Sequence, residues 1–155
     1  LLHFWKLKNH SRISGDLLMA YWLLKTEPDK YSYADLEQDG TTVWDGVTNA
    51  LALKYIRTML PGDLVLIYHT GKERQIMGVA EIVSQPYPHP TLNDAKLVVV
   101  DVQAVRPVSQ PVSLTQIKQD DKFIDFDLLR LPRLSVVPVS EAHWQHLIHL
   151  TASKT

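Results

Sequence analysis

The sequence predicts an α+β domain built on a small curled sheet or pseudobarrel, with helices plugging its open side. Three observations carry that expectation. Strand-like and helix-like segments are mixed without strict βαβ alternation. Val98-Val99-Val100 is continuously apolar, as in a strand covered on both faces. Helix caps recur at Ser32, Ser113 and Ser140, each opening a helical pattern beside a strand. A chain of 155 residues suits one domain and buries roughly 68–70% of the surface its unfolded form exposes, so no disulfide or metal staple is required.

Taken in order, Leu1 to Leu18 reads as an appended, dispensable leader, with the domain proper at 19–155. It sets Lys6, Lys8 and Arg12 against Asp16, which suits a basic arm on phosphates as well as a translated leader. Tyr21-Trp22-Leu23-Leu24-Lys25 is a first strand, closed by the turn signal Glu27-Pro28-Asp29. Ser32 and Asp35 form a reciprocal cap, and Asp39-Gly40 ends that helix. Thr48 is the expected cap of a second helix, in which Ala52, Ile56, Met59 and Leu60 recur at helical spacing before Pro61-Gly62-Asp63 breaks it. Leu64 to His69, Gln75 to Ser84 and Leu97 to Val105 form the body of the sheet. Ser113 with Gln116 starts another helix. Leu134 to Val139 is a last strand, and Ser140 caps a terminal helix running through Leu150.

Composition narrows the function classes. Apolar residues make up 45% and charged residues 21% of the chain, an ordinary globular balance. With no cysteine there is neither a disulfide framework nor a thiolate metal site, and the cytoplasm is the default compartment. No apolar run approaches the ~20 residues that span a bilayer. The formal net charge of -1 excludes a basic surplus that grips phosphates regardless of sequence, so any nucleic-acid binding must rest on a local site.

Four islands, in order along the chain, resemble the EVE domain family. They are Trp22-Leu23-Leu24-Lys25-Thr26-Glu27-Pro28-Asp29, Thr41-Thr42-Val43-Trp44-Asp45-Gly46-Val47-Thr48-Asn49, Gly62-Asp63-Leu64-Val65-Leu66-Ile67-Tyr68-His69-Thr70, and Arg133-Leu134-Ser135-Val136-Val137-Pro138-Val139. Gly78 to Val83 and the Pro86 to Pro90 stretch are similar to the segments between the third and fourth islands. The resemblance covers Ala20 to Leu150. It implies a PUA-like fold, kin to YTH and ASCH domains, with a pocket that holds a modified base in DNA or RNA, and with no cofactor and no metal. The chain departs from the family around Asn49. Where an arginine, an aromatic and a glutamine are common it has Thr48, Ala50 and Leu51, and Leu53 replaces a second arginine, which reduces the expected phosphate contacts.

Eight residues are expected at the pocket: Lys25, Thr26, Trp44, Gly46, Asn49, Tyr68, His69 and Ser135. Trp44, in an expected loop, can be a core plug or a stacking platform, and the resemblance places it at the pocket. Gly46 suits a turn of positive φ and would let backbone amides approach a ligand. Asn49 carries the donor and acceptors that pair with a base edge, and could equally tie down its own loop. Tyr68 and His69 point to opposite faces of a regular strand, so only one need face the pocket. Lys25 and Thr26 end the first strand, where an amine and a hydroxyl reach a phosphate or a ring substituent, or simply water. Ser135 places a hydroxyl on the last strand.

The competing reading is an ASCH-type ribonuclease or hydrolase, with Ser135, His69 and Asp45 as nucleophile, base and orienter. No nucleophile elbow, phosphate-cradling glycine loop or carboxylate cluster accompanies them, so a non-enzymatic module is expected. A third reading keeps the pocket for a small metabolite or a protein. His143, His146 and His149 follow at i, i+3 and i+6. With Trp144, Leu147 and Ile148 marking the buried face, they are expected on the solvated side, binding metal only adventitiously.

Overall fold

The computed structural model describes residues 19–152; the expected leader, residues 1–18, lies outside the described residues. The elements are β1 (Tyr21–Thr26), α1 (Tyr33–Asp39), β2 (Thr41–Trp44), α2 (Ala50–Ile56), β3 (Leu64–His69), β4 (Gln75–Ile82), β5 (Tyr87–Pro88), β6 (Val98–Ser113), α3 (Leu114–Lys118), a 3₁₀ turn (Asp121–Phe123), α4 (Asp127–Arg130), β7 (Val136–Val139) and α5 (Glu141–Thr151). The strands form a seven-stranded sheet ordered β2-β6-β4-β3-β1-β7, with β5 paired to β6 off that path. Among the described residues only β1 and β3 pair in parallel, across the α1–β2–α2 crossover; the other pairs are antiparallel. The sheet is curled and does not close, as the sequence predicts.

The curl has a local cause. Ile67 faces Gly78 while Tyr68 faces Ile76, so Met77 is an extra residue in β4. Against β6, the partners jump from Ile76 with Val112 to Gly78 with Pro107, and again between Val79 with Arg106 and Ala80 with Ala104. Bulges of this kind bend and twist the strands that carry them. They also admit Pro107 and Pro111 into β6, where a regular ladder would need their missing amides. The strand therefore continues to Ser113, well past Val105, where the sequence pattern ends. Val99 and Val100 are both buried, as expected of a strand covered on two faces.

The bend opens a site for α1. Tyr33 lays its ring on Gly78, where any Cβ would overlap ring carbons. Its hydroxyl donates to the Val79 carbonyl (2.6 Å) and its backbone N–H donates to His69 Nε2 (2.9 Å). Burial pushes the phenol up to about 12, so it stays a neutral donor. Just before β3, Asp63 is buried and accepts from Trp22 Nε1 (3.0 Å), Leu60 N (3.0 Å) and Ala20 N (3.3 Å), joining the start of β1 to the turn before β3. The capping box at Ser32 and the cap at Ser140 form as read.

Four local expectations change. The second helix ends at Ile56 instead of reaching Leu60, with Arg57 as its C-cap. Thr41–Trp44 is a strand on β6 rather than a loop, because Thr-Thr-Val-Trp is β-prone and finds a free edge. Asn49, not Thr48, caps α2, accepting from Ala52 N at 3.0 Å. His143 and His146 are not solvated: their side chains are 14% and 19% exposed and pack on Phe123 and Phe126. His146 Nε2 lies 2.6 Å from Asp120 Oδ2, and His143 Nε2 lies 3.0 Å from the Lys122 carbonyl. The His146 bond holds the Asp120 carboxyl below its ordinary value. These histidines pin the 3₁₀ turn to α5. Among the described residues no group of three or more His, Cys, Asp or Glu could hold a metal ion, and no helix is long and apolar enough to cross a membrane.

Gly78→Ala should lower stability by roughly 1–3 kcal/mol or more through overpacking against Tyr33, read as a fall in Tm of roughly 2–4 °C per kcal/mol at this size. The cost should shrink in a Tyr33→Leu background; an equal cost in both would show that the ring is not the obstacle. Asp63→Ala should cost several kcal/mol, about 3 or more, because buried N–H donors lose their acceptor.

Candidate functional site

A pocket of about 160 Å³ lies between the edge strand β2 and the end of β1, lined by Lys25, Thr26, Tyr31, Thr42, Val43, Trp44, Asp45, Gly46, Val47 and Ser135. One wall is β2 with the turn after it. The other is the end of β1 with the residue before β7, tied by the Lys25 N–H donating to the Ser135 carbonyl (3.0 Å). Tyr31, from the turn leading into α1, closes the back. The volume falls below the 300–1,000 Å³ of sites for drug-sized ligands and suits a single ring system.

Five of the eight expected residues meet here: Lys25, Thr26, Trp44, Gly46 and Ser135. Trp44 ends β2 and is largely buried, with its ring edge-on to Tyr31 at 6.4 Å between centroids, so it is part of the core and part of the pocket wall at once. Its indole N–H has no acceptor among the described residues, and neither has the Ser135 hydroxyl a partner there. Thr26 Oγ1 donates to the Tyr31 carbonyl (2.6 Å), which fixes the back wall and leaves that oxygen only lone pairs to offer. Gly46 has φ +79° with open space where a side chain would start; only glycine takes that backbone easily. Lys25 Nζ donates to the Pro132 carbonyl (2.8 Å), and burial lowers its pKa from the usual lysine value.

The other three, Asn49, Tyr68 and His69, do not line this pocket. Both faces of β3 are covered, so neither Tyr68 nor His69 reaches the pocket. His69 is 4% exposed. Its Nε2 accepts from Tyr33 N–H, so Nδ1 carries the proton and donates to Glu73 Oε1 at 2.8 Å. Tyr68 lies beneath Lys25, whose amine is 6.0 Å from its ring centroid. Asn49 spends its side-chain oxygen on the α2 cap and lines the next depression, a groove of about 330 Å³ with Leu51, Arg130, Leu131, Pro132, Arg133 and Leu134. Leu53, at a departure from the family pattern, is buried and could not carry a surface cation without repacking.

Tyr31, Thr42, Val43, Asp45 and Val47 are pocket residues that the sequence did not single out for binding. Alternation along Thr41–Trp44 would have found Thr42 and Trp44 together, had that segment been taken as a strand. Asp45 is largely exposed, with its Oδ2 3.7 Å from His89 Nε2, too far for a hydrogen bond. His89 Nδ1 accepts from Thr91 and Leu92 N–H (3.2 and 3.1 Å), so its proton sits on Nε2, toward Asp45. The pocket lining therefore combines a carboxylate acceptor, Asp45, with the Trp44 indole N–H and the Ser135 hydroxyl.

The EVE domain profile matches residues 20–150. Thymocyte nuclear protein 1 of Rattus norvegicus is 31% identical over 170 residues, spanning 88% of this chain and 75% of that protein. A Rhodopseudomonas palustris protein solved by NMR superposes with a TM-score of 0.82 at 35% identity, over 86% of this chain and 93% of that one. A crystal structure of the human THYN1 protein in complex with 5-methylcytosine-containing DNA superposes with a TM-score of 0.81 at 27% identity, over 88% of this chain and 99% of that one. A Zymomonas mobilis ASCH protein shares the fold alone, at 12% identity and a TM-score of 0.52.

His69→Ala should lower the Tm, because the first amide of α1 loses its acceptor at a cost of about 1–3 kcal/mol, while the pocket walls keep their own contacts. A variant with wild-type Tm but lost ligand binding would return His69 to the pocket.

Proposed function

This chain belongs to the EVE domain family, and on that premise we propose that it is a nucleic-acid-binding module whose pocket receives one modified base, of the methylated-cytosine type, from DNA. The observation that carries the reading is the match between the pocket and such a base. A space of about 160 Å³ takes a single pyrimidine ring more readily than a purine nucleotide. Trp44 offers a ring for stacking, worth about 1–3 kcal/mol per base. The Asp45 carboxylate can accept from the exocyclic amine of cytosine and would repel the O4 acceptor of thymine. The Ser135 hydroxyl and the Trp44 indole N–H supply donors for the ring acceptors, and Val47 supplies apolar contact for a methyl group. The relative solved with 5-methylcytosine-containing DNA supports the choice of ligand.

The reading as a binding module rather than a hydrolase is supported by His69. With Nε2 accepting from a backbone amide and Nδ1 bonded to Glu73, it has no nitrogen left to take a proton from Ser135. A base within a duplex must first be extruded at a cost of a few kcal/mol, so single strands are the better ligands.

Calorimetric titration with free 5-methyl-2′-deoxycytidine should show binding, with thymidine at least tenfold weaker. Asp45→Ala, at an exposed position with no hydrogen bond to the fold, should weaken the methylated nucleoside by about tenfold, the scale of a hydrogen bond to a charged group. Equal binding of the two nucleosides, or no effect of the substitution, would sink the assignment of Asp45. Turnover of oligonucleotide that is lost with Ser135→Ala would sink the module reading.

A further inference from the structure

The pocket and the groove that holds Asn49 are lined by neighbouring stretches of the same two chain segments. On one side the chain passes from Trp44 and Val47 at the pocket to Asn49 and Leu51 at the groove; on the other it passes from Ser135 back to Leu134 and Arg133. Lys25 links them, lining the pocket while its amine bonds the carbonyl of Pro132 in the groove. The groove has two kinds of surface. Leu51 and Leu131 are each 38% exposed and form an apolar floor. Arg130 and Arg133 stand on the rim. Arg130 shares its charge with Asp127 at 3.1 Å. The exposed Arg133 makes no hydrogen bond or ion pair among the described residues.

A base seated in the pocket hangs from a sugar and two phosphates, and these must leave by an open side. The groove offers that exit together with positive charge, apolar surface for sugar faces and an Asn49 amide nitrogen not consumed by the helix cap. Building on the base-binding reading above, we propose that this groove is a strand track: it carries the nucleotides flanking the bound base, with Arg133 as the principal phosphate ligand and Arg130 as the second. The arginines that the family often places around Asn49 are absent here, and this pair from the segment before β7 supplies cations to the same depression from the opposite wall. In a chain of net charge -1 such a strip confines phosphate attraction to the line of approach to the pocket.

The two readings separate in one experiment on the full chain, using free 5-methyl-2′-deoxycytidine and a five-nucleotide DNA strand with 5-methylcytosine at its centre. The strand should bind the wild type at least tenfold more tightly than the nucleoside. Arg130→Ala with Arg133→Ala should erase most of that advantage while leaving nucleoside affinity unchanged. The plot of log affinity against log salt for the strand should flatten by about 1.4, at roughly 0.7 per phosphate for single strands. Arg133→Glu alone should act in the same direction, which keeps the test independent of any loosening of α4 when Arg130 is lost. Unchanged strand affinity and salt slope in both variants, with the nucleoside still bound, would overturn the track and leave the pocket standing. Loss of nucleoside affinity in parallel with strand affinity would also overturn it, since the arginines would then act through the pocket. Failure of the wild type to bind either probe would overturn both readings.

Discussion

A residue without a side chain decides where everything else goes. At Gly78 the bulged β4 lets the Tyr33 ring lie directly on the sheet, and Tyr33 is held there at three points: ring on backbone, hydroxyl to Val79, amide to His69. That seating fixes the start of α1, and with it the preceding Tyr31, whose carbonyl takes the Thr26 hydroxyl and whose ring stands against Trp44. The chain of contacts therefore runs from a missing Cβ in the middle of the sheet to the back wall of the pocket. Interiors packed at crystal-like density transmit such constraints with little slack.

The pocket owes its position to the same curl. A sheet that closes has no edges to expose, whereas one that stops short leaves two edges facing each other across a gap. Here those edges are β2 and β7. The helix α2 packs against both β6 and β7 on that side, and the pocket lies between β2 and the end of β1. This geometry explains why the lining comes from segments far apart in sequence and why the residues around Trp44 and Ser135 face one another. It also explains why strand ends, rather than helices, carry the polar groups. A strand end can place a hydroxyl, a carboxylate and a positive-φ glycine within a few residues, as Thr42, Asp45 and Gly46 do.

Much of the fold was legible because caps and apolar runs are local signals. Ser32, Ser113 and Ser140 cap helices where the residues say they should, and Leu64 to His69 forms the strand its composition demands. What escaped was set by partners far away in the chain. Thr41–Trp44 becomes a strand only because β6 offers it an edge, and β6 runs through two prolines only because β4 bulges opposite them. The same distinction sorts the site residues. Trp44, Gly46 and Ser135 line the pocket between β2 and the end of β1, whereas the placement of His69 and Tyr68 turned on whether a second layer covers their strand. Alternation gives two faces but cannot say that both are buried. His143 and His146 illustrate the point from the other direction: polar residues opposite a buried stripe read as solvated, yet the segment from Asp120 to Phe126 packs its phenylalanines and acids against them.

The energetic balance of base recognition bears on how the two depressions divide the work. Stacking in the pocket is worth about 1–3 kcal/mol and extrusion from a duplex costs a few, so the pocket alone comes close to break-even on double-stranded DNA. A strongly basic protein would make up the difference with charge, at the expense of holding unmodified sequence almost as well. This chain is nearly neutral and does not have that recourse. On the proposed reading, its affinity has to come from contacts that form only when a base is already seated and the flanking strand is led along Arg133 and Leu131. Attraction then follows recognition instead of preceding it, and discrimination of the modified base survives against a large excess of plain nucleic acid.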